Sequence, residues 1–460
     1  MGMDTERLKE IAERTVAYAV KEKVDQAQAS AFMSDTALTR FANSQIHQNV
    51  AQKSGGVTIK VILKKKISKI SIGTLEGREI EKAVIQAIKI ARASSPSKEF
   101  RSLPEPRKWA PIAGAYDKKT AECDPKIRAE KVKEAIDTAH AKSPKVKTVA
   151  GFLSSGSMGF AVANSLGVSA WAALSTTSMK TTVISRSGDS EGFAAAEKHS
   201  RKIKDISPRI LARDAADKSI KSLNPVKVEP REYEVVLSPV AVSTLMMYLG
   251  FVGFSADAYQ DGQSFVKYSL NKQVFDGKLN IVDDARDPKT FYSLPVDGEG
   301  VPKKTMKLVN RGIVSERSIC HNSFTAGKEG KKSTGHAPAA FGGYYGIEEP
   351  GPMNMVVKAG DSTIEEAIAE TKHGIFVNTV HYVNPAEPTK VVLTGLTRDG
   401  TFLIENGAIS KPIVNMRFTD SMLSAFKDIP MIGKHVETLR MTAVPMLKLK
   451  KLRFVGLSAY

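Results

Sequence analysis

"SPVAVSTLMMYLGFVGFSADAYQDGQS" (Ser238–Ser264) is the stretch on which the fold of this chain turns. From Leu237 to Ala256 it carries no charge, and at Asp257 it becomes polar. A membrane span, a buried helix and a catalytic helix stripped of its chemistry all share that pattern. A span needs about 20 consecutive apolar residues. Here Pro239, Ser243, Thr244, Gly250, Gly253 and Ser255 interrupt the run, and no second apolar run of that length accompanies it. The stretch reads as a helix buried inside a water-soluble domain.

Composition supports that reading. A chain of 460 residues, 42% hydrophobic and 25% charged, is an ordinary globular protein of two or three domains. The two cysteines, Cys123 and Cys320, lie far apart and outside any C-x-x-C pair. This disfavours a disulfide framework or a cysteine-built zinc site and suits the reducing cytoplasm. The opening "MGMDTERLKEIAERTVAYAVKEKV" is an amphipathic helix with Leu8, Ile11, Ala12, Val16 and Ala19 on one side, without the pattern of a signal peptide. A net charge of +18 invites a nucleic-acid reading. The lysines are scattered, however, through runs such as "LKKKISK", "VPKKTMK" and "LKLKKLR", at turns or on alternating strands. A basic, solvated surface accounts for them, and a nucleic-acid-associated protein stays as an alternative.

Periodicity divides the chain into an N-terminal α/β domain (1–105), a central α+β domain (106–228) and a β-rich C-terminal domain (229–460). "QASAFMSDTALTRFANSQIHQNV" reads as strand, short helix, strand. "VTIKVILKKKISKISIGTL" is a hairpin turning at Lys64–Lys66, and "EGREIEKAVIQAIKIARASS" is a helix. A proline-rich linker follows, then the helix "KIRAEKVKEAIDTAHA" and a hairpin around "NSLG". "GFAAAEKHSRKI" and "ARDAADKSIKSL" read as helices. Beyond them, short strands and turns dominate to the C-terminus. The fold class expected is α+β, with N-terminal α/β domains followed by a C-terminal domain rich in antiparallel sheet.

Three patterns could carry chemistry. "GDSEG" (Gly188–Gly192) matches G-x-S-x-G between an expected strand and helix, the context of a nucleophile elbow with Ser190 as nucleophile and His321, His336, His373 or His381 as partner. The preceding "SMKTTVISRS" alternates like an antiparallel strand, whereas an elbow leaves a buried parallel one. A glycine turn is the plainer reading, with a stand-alone serine hydrolase as the alternative. "GKEGKKST" (Gly327–Thr334) has the composition of a phosphate loop but Lys331 where glycine is needed. The eight histidines, His47, His140, His199, His321, His336, His373, His381 and His435, include no pair four residues apart, so no H-E-x-x-H zinc site can be written.

The order of several longer segments resembles the TldD/PmbA family, on its TldE/PmbA side, over essentially the whole chain. They are "AVANSLGVSAW", "YEVVLSPVAVSTLM", "FSADAYQDGQSF", "IVDDARDPKTFYSLPVDGEGVPKKTMKLVNRGIV", "STGHAP", "GPMNMVVKAGDSTIEEAIAETKHGIFV" and "GTFLIENGAISKPIVNMRFTDSMLSAFKDIPMIG". The resemblance implies a two-protein system: a TldD-like subunit with a zinc helix H-E-x-x-x-H and a C-terminal cysteine ligand, and a TldE-like subunit of the same fold without them. Together they act on unfolded peptides. Laid on Leu237–Gly262, the zinc helix puts its histidines at Met247 and Val252 and its glutamate at Tyr248, while Gly253, Asp257 and Gly262 match. "HVETLRMTAVPMLKLKKLRF" contains no cysteine. Thioether, phenol and isopropyl groups are poor zinc donors, and the general-base carboxylate is missing. The resemblance thus implies a chain without catalytic residues, metal or cofactor of its own. Its expected partners are a zinc-bearing TldD-like subunit, an unfolded peptide or a second copy of itself, with no membrane.

Overall fold

Two long hairpins build the first half of the protein in the computed structural model, which describes residues 3–287, 290–339 and 349–458. In order come α1 (Thr5–Lys21), β1 (Gln26–Ala42), β2 (Gln45–Leu63), β3 (Lys66–Ile72), α2 (Gly77–Ala93), α3 (Lys118–Ala121), α4 (Pro125–Lys142), β4 (Val146–Asn164), β5 (Ser169–Ser187), β6 (Ser190–Ser200) and α5 (Pro208–Lys221). The six strands form one antiparallel sheet in the order β3-β2-β1-β4-β5-β6, so residues 1–105 and 106–228 share a sheet through the β1–β4 ladder. Strand alternation sorts its two faces. Ala27, Ala29, Ala31, Val57, Ile59 and Val61 lie under α1 and α2, while Val149, Met179, Val183 and Ala196 lie under α4 and α5. All four long helices therefore cover one face. The other face turns toward the C-terminal half.

Two local readings need correction. The short helix expected within "QASAFMSDTALTRFANSQIHQNV" is absent: β1 and β2 form one continuous hairpin turning at Asn43 and Ser44. Both turn residues have positive φ (50° and 60°), as a two-residue primed turn requires. Pairing of β1 with both β2 and β4 overrides the weak helical preference of "DTALTRF". "GFAAAEKHS" is likewise the strand β6 and no helix. Its small residues serve close packing beneath α5: a Cβ on Gly192 would stand 2.0 Å from the Ser219 carbonyl oxygen.

The C-terminal half contains β7 (Glu232–Leu237), α6 (Pro239–Gly253), α7 (Ala256–Gln260), β8 (Ile281–Asp283), β9 (Met306–Val309), α8 (Ser323–Lys328), β10 (Met355–Val357), α9 (Ile364–Ala369), β11 (His373–Glu387), β12 (Val392–Glu405), β13 (Ala408–Pro412), β14 (Met416–Ser421), α10 (Met422–Ala425), β15 (Met431–Ile432), β16 (Glu437–Leu439), β17 (Thr442–Val444) and β18 (Leu447–Leu457). Strands β11, β7, β18, β14 and β12 pair in turn, and β12 pairs back to β11, closing a ring. A smaller sheet runs β16-β17-β10-β8-β9. The architecture is α+β, with largely antiparallel sheets.

The stretch from Ser238 is α6. Ser238 caps it, its hydroxyl accepting from the Val240 and Ala241 amides, and Pro239 supplies a preset φ in the first turn. Ala241, Val242, Leu245, Met246 and Leu249 are buried in the main C-terminal core. Each large side chain among them contributes about 1.5–3 kcal/mol by leaving water. Its glycines allow close approach: a Cβ on Gly250 would lie 2.6 Å from Met355 Sδ, and one on Gly253 2.5 Å from the Phe265 ring. Among the described residues no helix is long and apolar enough to cross a membrane.

Candidate functional site: a cleft on the open face of the first sheet

The uncovered face of the first sheet and the C-terminal half enclose a cleft of ≈ 530 Å³. Strand register supplies its floor. Leu38, Ser154, Ser178 and His199 stand opposite one another across β1, β4, β5 and β6, and Thr36, Gly156 and Thr176 form the next row. Ser34 pairs with Ser54 at one end. This floor of hydroxyls faces Phe291, Tyr292 and Arg440 on the far side.

That far side is held rigidly. Arg201 is buried, and its guanidinium donates to the carbonyls of Thr290 (3.0 Å), Ala115 (2.9 Å), Phe291 (2.8 Å) and Ser293 (3.3 Å). Burial pulls its pKa down to about 10, so it stays charged at neutral pH. From behind, Asn354 accepts from the Tyr292 amide and donates to its carbonyl, while its own amide donates to Asp283 at 2.7 Å. Asp283 also accepts from His336 Nε2 at 3.1 Å. A carboxylate only accepts, so that nitrogen carries the proton. Burial opposes ionisation of Asp283, but His336, Lys303 and the Asn354 amide outweigh it and hold the carboxyl at about 2. Burial, reinforced by Lys303, pushes His336 down and keeps it neutral.

The segment "DGEGVP" (Asp297–Pro302) is a turn that clamps the two halves. Asp297 accepts from the amides of Glu299 and Val301 (both 2.9 Å) and of Ala337 (3.0 Å). Glu299 takes Lys60 from the first sheet at 3.2 Å and the Ser323 amide at 2.8 Å. A Cβ on Gly298 would lie 1.8 Å from the Pro338 carbonyl oxygen, so only glycine fits there.

Met247, Tyr248 and Val252 all lie on α6, at the edge of this architecture. Met247, with Phe251, packs against the cluster of Phe291, Tyr292 and Met441 that backs the cleft. Tyr248 and Val252 are half-buried against the main C-terminal core. Burial pushes the Tyr248 phenol above its ordinary value, away from metal-binding phenolate. These donors do not fit zinc. Among the described residues no three His, Cys, Asp or Glu side chains gather as a metal would require. Cys123 and Cys320 are both free and buried.

Ser190 begins β6 just past the tight β5–β6 hairpin turn at Gly188, with no helix after it, so the elbow context is absent. Its hydroxyl accepts from the Asn224 amide at 2.7 Å. The candidate histidines are dispersed. His336 is on Asp283, and His373 meets Arg231 at 3.0 Å. His381 lines a separate cleft of ≈ 600 Å³ with Tyr382, Arg398 and Asp399. His321 is buried, with neither ring nitrogen bonded among the described residues. "GKEGKKST" is the end of α8 and a lysine-bearing loop, with no strand leading in.

His199 stands in no motif of the sequence. It shares a 2.7 Å hydrogen bond with Ser178 through Nδ1, and its Nε2 stands 3.7 Å from Glu197. Burial would raise the Glu197 carboxyl, but His199, Arg440 and Lys180 hold it at about 2. Serine, histidine and carboxylate in a row suggest a nucleophile. However, Ser178 lies mid-strand, paired to β4 on one side and β6 on the other, so its backbone N–H groups have no freedom to stabilise an oxyanion. What this cleft offers is a mixed surface, with hydroxyls of Ser34, Thr36, Ser54 and Thr176 set among Phe32, Leu38, Phe152 and Met158.

Residues 230–456 match the family model described as the PmbA/TldA metallopeptidase C-terminal domain, and residues 120–223 match its central domain. An uncharacterised protein of Methanocaldococcus jannaschii is 27% identical over 229 residues, 49% of this chain and 50% of that protein. The metalloprotease PmbA of Escherichia coli O157:H7 is 23% identical over 50% of this chain and 47% of its own. A metalloprotease TldD homologue of Haemophilus influenzae is 24% identical over 51% and 47%. The chain thus spans about half the length of the curated relatives it matches. In fold it is similar to TldE from Thermococcus kodakarensis, with a TM-score of 0.88 and 19% identity over 96% of this chain and 99% of that one. A Thermotoga maritima protein linked by name to DNA gyrase modulation superposes with a TM-score of 0.83 and 22% identity over 97% and 100%. With two domain models of one family matched in order along most of its length, this chain belongs to the PmbA/TldD family.

Proposed function

We propose that this chain is the non-catalytic, TldE-like partner of a TldD-like zinc metallopeptidase that degrades or processes unfolded peptides. One observation carries the reading. On α6, the helix that the family resemblance makes the zinc helix, the ligand and base positions hold Met247, Tyr248 and Val252, packed into core and cleft wall. In this reading zinc belongs to the partner. The cleft helps receive an extended peptide beside the partner's active site, through side-chain contacts from Ser34, Thr36, Ser154 and Thr176 on its floor and Tyr292 and Arg440 opposite. Two free, buried cysteines suit the cytoplasm.

The test is metal content and peptide hydrolysis of the purified chain, alone and after co-purification with a TldD-like subunit from the same genome. Less than a tenth of an equivalent of zinc and no cleavage by the chain alone are expected, together with a stable complex. Stoichiometric zinc with cleavage by the chain alone contradicts the proposal.

A further inference from the structure

The second cleft, of ≈ 600 Å³, lies between β6 and the closed C-terminal ring. Phe193 lines it from the first half, and Leu396, Arg398, Asp399 and Ile413 line it from the second. Alternation along β6 puts Phe193 on the same face as His199, ~20 Å along the strand from the first cleft. The wall opposite carries a β-bulge. Val377 pairs with Thr401 and Thr379 with Arg398, so Asp399 and Gly400 both stand opposite Asn378. Asp399 has a φ of 57° and Gly400 of 109°, and Asn378 Nδ2 donates to the Asp399 carbonyl at 2.8 Å. Bulges re-aim side chains and gather beside functional sites. The side chain re-aimed here is a carboxylate only 6% exposed, and its Oδ1 has no hydrogen-bond partner among the described residues.

The charges around that carboxylate select the ligand. Arg398 Nε stands 3.6 Å from Oδ1, an ion pair without a hydrogen bond. Its guanidinium lies over the Phe193 ring, 4.9 Å from the centroid, which engages the planar face and leaves the N–H edge for an acceptor. Burial lifts the Asp399 carboxyl above its ordinary value, and Lys180 and Arg398 offset that only in part. Burial also pushes His381 down, so the imidazole in the same cleft stays neutral and adds no charge. A bare cation entering here meets Arg398 and Lys180. A bare anion leaves the buried Oδ1 without a donor, which is costly. A molecule carrying both signs satisfies both groups. The 3.6 Å spacing suits an ammonium and a carboxylate attached to one carbon, as in an α-amino acid. Phe193, Leu396 and Ile413 then offer a place for an apolar side chain.

We propose that this cleft binds a free α-amino acid with an apolar side chain, its ammonium on Asp399 and its carboxylate on Arg398. Under the partner reading such molecules are end products of peptide breakdown, yet binding needs this chain alone, so the two proposals fail separately. Calorimetric titration of the full-length chain with L-leucine is expected to show saturable binding. Leucinamide keeps only the ammonium and N-acetyl-leucine only the carboxylate. Each should bind at least about tenfold more weakly, the loss of one charge-assisted contact. Glycine, without the apolar side chain, should also bind more weakly than leucine. Asp399→Asn, a change tolerated at this positive φ, should weaken leucine at least about tenfold and leave N-acetyl-leucine unchanged. Arg398→Gln should weaken leucine likewise and leave leucinamide unchanged. That crossed pattern separates lost contacts from general damage to the fold. The absence of saturable leucine binding overturns the proposal. So does leucine binding that neither substitution weakens, or equal binding of leucine, leucinamide and N-acetyl-leucine.

Discussion

At the scale of single residues, buried polar groups fix the wall of the cleft. Arg201 satisfies four carbonyl oxygens at once. Arg201→Ala strands those acceptors away from water, and a loss of about 3 kcal/mol or more is expected in urea unfolding. Arg201→Lys should rescue little of it, because an ammonium lacks the planar fork. Asp283 and His336 set the acid response. The folded Asp283 carboxyl sits at about 2 against 3.8 for the ordinary group, so its stabilisation is full above the unfolded value and is lost as pH falls from about 4 toward 2. That loss is on the order of 2 kcal/mol. The folded pKa of His336 lies below 6.5, so an unfolded chain takes up that proton first, and stability begins to fall below about pH 6.5. Thermal melts from pH 8 to pH 3 should decline in that order, and His336→Gln should remove the upper part of the decline. A melting temperature flat between pH 7 and pH 4.5 would contradict this role.

At the scale of elements, alternating and amphipathic patterns were legible, and α1, α2, α4, α5 and the β4–β5 hairpin lie where their periodicity put them. The two failures share a cause. "GFAAAEKHS" has helix-favouring alanines, yet α5 needs small residues beneath it, and local propensity cannot reveal a neighbour that arrives later in the chain. Within "QASAFMSDTALTRFANSQIHQNV" the continuous strand state comes from ladders to β2 and to the distant β4, which lie outside the local sequence. Two glycines separate packing from turn strain. Gly192→Ala drives a Cβ to 2.0 Å from a backbone oxygen, and a loss of about 2–3 kcal/mol is expected. Gly188→Ala meets no atom within 4 Å and suffers only its positive φ of 59°, costing about 1 kcal/mol. Denaturant midpoints of the two variants should therefore separate clearly. Equal midpoints would refute the close approach of α5.

At the scale of the whole molecule, the cleft could not be read from the chain. Its floor is a register relation among β1, β4, β5 and β6, and its wall is a loop pinned by Arg201 and Asn354 from elsewhere. The donor chemistry of α6, by contrast, is a property of the sequence itself: Met247, Tyr248 and Val252 carry thioether, phenol and isopropyl groups, and the helix holds no His, Glu or Cys. Converting Met247→His, Tyr248→Glu and Val252→His together should not create a peptidase, since no cysteine joins them from the C-terminal segment. Zinc uptake without turnover is the expected result, read by metal analysis and peptide assay.

The most direct measurement is cleavage of an unfolded peptide by a TldD-like subunit from the same genome, by this chain, and by the two together. Negligible cleavage by this chain alone and a rate at least tenfold higher for the pair than for the TldD-like subunit alone are expected. Equal rates with and without this chain, or chelator-sensitive cleavage by this chain alone, would contradict its role as a non-catalytic partner.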